Sequence, residues 1–244
     1  MTILILGATS AIAQAYARRR AAGMAFVLAG RREDRLTAIA ADLVASGAKS
    51  ADTLVLDLAA LDGIEAQVQA LRARYGDVEE IVIAYGVLGE QAVSERDLPT
   101  ARMIVENNYV SPMLWILALL KDRPPMAPLK LVAIGSVAGD RGRASNFIYG
   151  SAKSGLDRVL EGLAQKYDRT PVRIITVKPG FVDTPMTANY KKGGPLWATP
   201  DKVAADIERA VAKGKRIVYT PWFWWPIMFI IGHLPWFVFR RLKI

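Results

Sequence analysis

The chain has 244 residues, 52% of them hydrophobic and 23% charged, with 32 basic against 23 acidic side chains for a net charge of +9; this is the make-up of one compact domain with a large core. No cysteine occurs and His233 is the only histidine, which excludes disulfide scaffolds, thiolate zinc and iron–sulfur sites, cysteine nucleophiles and a Ser-His-Asp triad in the body of the chain. Six basic residues (Lys213, Lys215, Arg216, Arg240, Arg241 and Lys243) follow Ala210, beyond which no acidic residue occurs, so the excess charge belongs to the tail and no nucleic-acid partner is expected.

The opening MTILILGATSAIAQ has no positive n-region and runs straight into an apolar strand, so no cleavable signal peptide is expected and the cytosol is the expected compartment. Strand patterns follow at Thr2–Leu6, Ala25–Ala29, Thr53–Leu56, Glu80–Ala84, Lys130–Gly135, Val172–Val177 and Arg216–Tyr219. Helical periodicity fills the gaps near Ala11–Ala22, Glu33–Ser46, Leu61–Tyr75, Leu98–Lys121, Ile148–Tyr167 and Asp201–Lys213. The last helix has legible ends, with Thr199 to cap it, Pro200 in its first turn and Gly214 to close it. This alternation predicts an α/β fold over 1–220, a single doubly wound parallel sheet of about seven strands, with ligands beyond the carboxyl ends of the strands.

The first strand ends in GATSAIA (Gly7–Ala13) and a helix follows at once, which sets a tight turn and a helix N-terminus where a pyrophosphate binds. Ala11 and Ala13 stand at the second and third glycine positions of the dinucleotide fingerprint, so an ordinary strand-to-helix turn is an equal reading of the loop alone. The second strand ends in LAGRRED, with Gly30 where an NAD site carries an acid, followed by Arg31 and Arg32. A guanidinium there suits a 2′-phosphate and favours NADPH over NADH; the alternative is that both arginines form a solvated helix start, which is the reading taken for Arg32. Asp57, in VLDLA, is placed to accept from an adenine amino group or to cap the next turn.

Tyr149 and Lys153 form YGSAK, an i, i+4 pair on one helix face. A phenol titrating near 10 becomes a usable acid when a neighbouring ammonium favours its ionised form. Ser136, in AIGSVAG at the end of the fifth strand, is placed to hold a carbonyl oxygen. No metal-ligating cluster is read.

With these motifs in place, residues 2 to 220 resemble the classical short-chain dehydrogenase/reductase superfamily. The resemblance implies a tetrad of Asn108, Ser136, Tyr149 and Lys153, and a proline–glycine motif in KPGFVDTPM that turns Pro179, Gly180, Val182 and Thr184 toward a nicotinamide. The remaining cofactor contacts it implies are Gly7, Thr9, Ser10, Ala11, Ile12, Arg31, Asp57, Leu58, Ala84 and Gly86, together with Tyr149 and Lys153. The family's NAG motif reads Ala84-Tyr85-Gly86 here. The implied reaction is ketone reduction, in which Ser136 binds the carbonyl, Tyr149 gives the proton, Lys153 lowers the tyrosine pKa and Asn108 orders a water. It also implies a homodimer or homotetramer built through the helices that carry Asn108 and Tyr149.

A narrower resemblance covers GDRGRASNFIYGSAKSGLD, KPGFVDTPM and the ending GKRIVYTP through HLPWFVFRRLKI, which look like the 2-keto reductases that complete epimerisation of decaprenylphosphoryl ribose. It implies a polyprenyl-phosphate keto sugar as substrate, with a long-chain keto lipid of the 3-ketosphinganine type and a non-catalytic nucleotide-binding scaffold as alternatives. Arg141, Arg143 and Asn146 are then candidates for a phosphate or sugar hydroxyls, or form a basic surface loop.

Pro221–Phe239 is apolar apart from His233, and eight of its nineteen residues are Trp or Phe. Pro226 and Pro235 interrupt it and basic clusters flank it, a composition that fits two short helices lying in the cytoplasmic membrane surface rather than a span. Packing of residues 221–244 on the chain's own domain, or across a dimer, is the alternative.

Overall fold

The computed structural model describes residues 1–124 and 126–242. In chain order its regular elements are β1 (Thr2–Leu6), α1 (Ala11–Arg20), β2 (Ala25–Gly30), α2 (Glu33–Ala45), β3 (Ser50–Val55), α3 (Ile64–Tyr75), β4 (Glu80–Ile83), α4 (Gln91–Ser94), α5 (Leu98–Val105), α6 (Ser111–Leu120), β5 (Leu129–Ile134), α7 (Phe147–Lys166), β6 (Val172–Pro179), β7 (Phe181–Val182), β8 (Trp197–Ala198), α8 (Pro200–Lys213), β9 (Ile217–Thr220), α9 (Trp224–His233) and α10 (Trp236–Phe239). Seven strands form one sheet in the order β3-β2-β1-β4-β5-β6-β9, all parallel, while β7 and β8 pair separately.

Alternation along each strand divides the core into two layers. Ile3, Ile5, Phe26 and Leu28 face one side, where Ala13 and Tyr16 of α1, Leu36 and Leu43 of α2, and Val203 and Ile207 of α8 cover them. Leu4, Leu6, Val27 and Ala29 face the other, against Val68 of α3, Trp115 of α6, and Leu156 and Leu160 of α7. Chain order reverses between β1 and β4, which sets the ligand crevice of this sheet type beyond their carboxyl ends. Gly7, just past β1, has φ +89°, and a Cβ there would lie 2.7 Å from the Cβ of Tyr85. The crevice floor therefore needs a glycine both for its left-handed backbone and for the close approach of the loop after β4.

The helix expected over Leu98–Lys121 is present, but α5 and α6 are joined by a π-helical turn, Glu106–Val110, that carries Asn108. Pro112 has no N–H to give to the carbonyl of Asn108, four residues earlier, so the ordinary ladder fails there and the turn widens. The run Leu98–Leu120 is apolar and long enough by composition to cross a membrane, yet half of its most apolar window is buried in the fold. Strand β3 runs Ser50–Val55 rather than Thr53–Leu56, because its pairing with Ala25–Gly30 of β2 sets its length. The short elements α4, β7 and β8 have no sequence periodicity to announce them.

Trp115 is wholly buried, and its indole N–H donates to the Leu58 carbonyl at 3.2 Å, an oxygen that also accepts from Ser111. One side chain thus secures both the core layer and the loop after β3. Trp115→Ala is expected to cost about 3–5 kcal/mol in urea denaturation, through the cavity and the lost anchor.

Candidate active site

At the crevice, α1 begins without a cap. The Ser10 side chain makes no capping hydrogen bond and no acidic residue occupies the first turn, so first-turn amides and the positive end of the helix dipole stay available to an anion. Thr9 and Ser10 sit on the loop that Gly7 turns; Gln14 donates to the Thr9 carbonyl at 3.0 Å and holds it. Ile12 and Ala13 are buried: a small residue at position 13 suffices where the family fingerprint has glycine for close helix packing, and Ala11 is half-buried at the rim. Beyond β2, Arg32 is paired with Asp34 at 2.7 Å, whereas Arg31 is exposed and forms no ion pair among the described residues. Arg31 is thus the guanidinium free to meet a phosphate. Asp57 accepts from the Ala59 amide at 3.0 Å through one oxygen and is exposed, so it does cap the turn, and its second oxygen remains available.

Asn108, Ser136 and the pair Tyr149 and Lys153 come from three different places in the chain: the π-helical turn, the turn after β5 and α7. Asn108 is fully buried; its amide donates to the Val87 and Ile104 carbonyls at 2.6 and 2.8 Å, and its Oδ1 has no partner. Gly86 lies directly beside it, since a Cβ there would be 2.3 Å from Asn108 Oδ1 and 3.6 Å from Lys153 Nζ. Only glycine leaves that oxygen and that ammonium open to a shared space. Ser136 begins the short 3₁₀ turn after β5, with its hydroxyl accepting from the Ala138 amide at 3.1 Å. Lys153 is 4% exposed; its Nζ donates to the Ile134 carbonyl at 3.0 Å and lies 5.8 Å from the centre of the Tyr149 ring. Tyr85, in place of the family's asparagine, shares a 2.8 Å hydrogen bond with Ser111, which ties the loop after β4 to α6 by a different route.

Burial pushes the Tyr149 phenol up to about 12, with the Ser136 hydroxyl pulling it back and the Asp157 charge adding to the rise. Burial brings the Lys153 ammonium down to about 8, against the opposing attraction of Asp157. The phenol therefore holds its proton through the neutral range while the lysine beside it stays charged below about pH 8. Tyr149 opens into a cleft of about 630 Å³ that is also lined by Gly86, Leu88, Gln91, Asn146, Met186 and Tyr190. This combination can protonate an oxyanion delivered to the cleft.

Three features of the site escape sequence reasoning. Behind Tyr149, Lys178 lies in ion pairs with Asp140 and, at 2.8 Å, with Asp157, and Tyr219 donates to Asp140 at 2.9 Å. Asp157 stands four residues after Lys153, the same spacing that singled out Tyr149 and Lys153, and that spacing was its only signal. Gly180 of the proline–glycine motif is covered by the tail: a Cβ there would fall 1.9 Å from the Trp224 indole. Trp224, Met228 and Phe239 are buried, so one face of α9 and the end of α10 pack on the domain. Arg141, a candidate for a substrate phosphate, is instead spent on the tail, donating to the carbonyls of Ile231, Gly232 and Leu234 and lying 3.8 Å from the centre of the Phe239 ring. The unpaired carbonyls at the end of α9 are the stronger call on its five donors. Arg143 and Asn146 remain half-buried, with the Arg143 Nε and Asn146 Oδ1 unpaired.

The pH dependence follows from these two groups. Turnover that draws on the Tyr149 proton with Lys153 charged is expected to be level below about pH 8 and to fall above it by up to about tenfold per pH unit as Lys153 loses its proton. Initial rates across that range check this, and Lys153→Met should remove the break along with most of the rate.

The family model for short chain dehydrogenase matches residues 1–194. An uncharacterized oxidoreductase of Mycobacterium tuberculosis is 40% identical over 240 residues, covering 98% of this chain and 96% of its own, so the likeness runs into the tail. Among solved structures, a short-chain dehydrogenase from Sphingobium yanoikuyae in complex with NADPH aligns at TM-score 0.82 and 20% identity over 96% of each chain. An actinorhodin polyketide ketoreductase with NADPH aligns at TM-score 0.76 and 24% identity, over 89% of this chain and 94% of its own; at these identities the likeness is one of fold. The chain belongs to the short-chain dehydrogenase/reductase family and is an NAD(P)H-dependent oxidoreductase.

Proposed function

We propose that the protein is an NADPH-dependent ketoreductase acting on a membrane-anchored substrate, a polyprenyl-phosphate-linked keto sugar. The observation that carries the reading is that Tyr149 lines an open cleft with the Ser136 hydroxyl within hydrogen-bonding reach of its phenol and the buried Lys153 ammonium 5.8 Å from its ring centre. The uncapped start of α1, the glycine floor at Gly7 and the free Arg31 fit a dinucleotide with a 2′-phosphate. Gly7, Thr9, Ser10, Ala11 and Ile12 would hold the pyrophosphate, Arg31 the 2′-phosphate, Asp57 and Leu58 the adenine, and Ala84 and Gly86 the adjoining ribose. Pro179, Gly180, Val182 and Thr184 would hold the nicotinamide, with Lys153 on its ribose. NADPH bound there supplies the hydride to the carbonyl carbon.

The chain's own residues do the rest. Ser136 holds the carbonyl oxygen in the cleft, and Tyr149 passes its phenolic proton to that oxygen as negative charge develops on it. Lys153 stabilises the resulting phenolate. The unpaired Oδ1 of Asn108, facing the space beside Lys153, is the acceptor that an ordered water for proton resupply requires.

The choice of a membrane-anchored substrate rests on the tail. Trp222, Trp225, Phe229, Ile230, Trp236 and Phe237 are exposed on α9, α10 and the turn before them. Arg240 and Arg241 are exposed at the end of α10, and Lys213, Lys215 and Arg216 are exposed at the other end of β9; none forms an ion pair among the described residues, and Lys243 lies outside them. Exposed aromatic side chains followed directly by the free cations Arg240 and Arg241 fit the cytoplasmic membrane surface. With Arg141 engaged by α9, Arg143 and Asn146 are the residues left to meet a phosphate or sugar hydroxyls at the cleft. Exposed Met103, Leu117 and Phe147 on α5, α6 and α7 support assembly into a homodimer or homotetramer through those helices.

The test is turnover. Oxidation of NADPH is expected with a lipid-linked 2-keto sugar presented in vesicles, more slowly with a 3-keto sphingoid base, and Tyr149→Phe should lower it by about 10²–10⁴-fold. A Tyr149→Phe protein that retains full turnover would contradict the assignment.

A further inference from the structure

The tail has two faces with different duties. On α9, Trp224, Met228 and Ile231 turn inward to Val137, Phe181 and Tyr219. Trp225, Phe229 and His233 form an i, i+4, i+8 stripe on the outside, with Trp225 and Phe229 stacked at 5.7 Å and Phe229 and His233 at 4.4 Å. The inward face does not rest on an indifferent part of the domain. Trp224 fills the space over Gly180 and meets Phe181 edge-on at 5.6 Å, and Val137 is the residue after Ser136.

A second tie runs from the other wall. Arg141 lies on the loop between Ser136 and Tyr149, and its guanidinium holds the carbonyls at the end of α9 and the ring of Phe239. Both loops that frame the reacting centre are thereby fastened to the same pair of helices. The contact is also incompletely satisfied, because the Trp224 indole N–H is buried and has no acceptor. A buried unpaired donor disfavours the arrangement that contains it, so the seating of α9 responds to whatever gives this group a partner.

We infer that seating of α9 and α10 on an anionic lipid surface and occupation of the nicotinamide site by NADPH are coupled, through Trp224 against Gly180 and Arg141 beneath the end of α9. The inference rests on the reading above that the Pro179–Gly180 loop faces the nicotinamide and that the aromatic tail meets membrane. The membrane is then a partner of the site as well as a store of substrate: fixing α9 fixes the loop on which the cofactor's reactive end is held. Coupling of this kind is reciprocal, since each ligand must tighten the other by the same factor.

The experiment uses the full chain and vesicles of equal parts phosphatidylcholine and phosphatidylglycerol. NADPH affinity is measured by calorimetry with and without vesicles, and vesicle affinity by sedimentation with and without saturating NADPH. Both affinities are expected to tighten by the same factor, about fivefold or more. Trp224→Phe and Arg141→Lys should each still sediment with vesicles through the outer aromatic residues while losing most of that factor. An unchanged NADPH affinity on vesicles that carry the chain down would overturn the coupling and leave membrane binding standing. A chain that binds NADPH but stays in the supernatant would overturn the coupling together with the membrane reading. Tightening in the wild type of one affinity without the other would contradict the linkage outright.

Discussion

Four charges are withdrawn from water behind Tyr149, and the geometry of the site follows from how they are balanced. Lys153 and Lys178 supply two ammoniums, Asp140 and Asp157 two carboxylates, and Lys178 lies in ion pairs with both acids. The cluster joins the turn after β5, the middle of α7 and the end of β6, which are the three segments that carry Ser136, Tyr149 with Lys153, and the proline–glycine motif. Space for it comes from glycine: a Cβ on Gly135 would lie 2.9 Å from Asp157 Oδ1, and one on Gly139 would lie 3.0 Å from its Oδ2. Breaking such a group by removing one member leaves a buried charge without its counterpart, which is far more costly than never having built it.

The same cluster sets which of Tyr149 and Lys153 holds its proton. Burial lifts the phenol of Tyr149 and lowers the ammonium of Lys153, and the Asp157 carboxylate raises both. Without Asp157, burial alone would carry Lys153 further toward neutrality and weaken the charge that stabilises a tyrosinate. The protonation of the Tyr149–Lys153 pair is thus set by the buried ensemble and not by the pair alone.

Much of this was legible in the residues. The alternation of apolar runs and helical segments located all seven strands of the main sheet, and the GATSAIA turn, Arg31 and the spacing of Ser136, Tyr149 and Lys153 located the crevice, because these are local patterns whose physics acts over a few residues. The π-helical turn at Asn108 was not legible, since it depends on a donor missing at Pro112 within a pattern that otherwise reads as continuous helix. The packing of Trp224 on Gly180 and the use of Arg141 to close α9 were hidden for a different reason. Each joins residues more than forty positions apart, and nothing in a composition of aromatic and basic residues states which face meets protein and which meets solvent. The glycine at position 180 carried the signal in retrospect: a residue without a side chain marks a place where something else must fit.

In the function proposed here the crevice between β1 and β4 takes a phosphorylated dinucleotide, with Arg31 as the discriminating group. The most direct measurement is a calorimetric titration of the full chain with NADPH and with NADH. NADPH is expected to bind tighter than NADH by about tenfold or more, the worth of one charge-assisted contact to the 2′-phosphate, with the difference abolished in Arg31→Ala, whereas equal binding would show that Arg31 does not discriminate. No binding of either would contradict the proposed site.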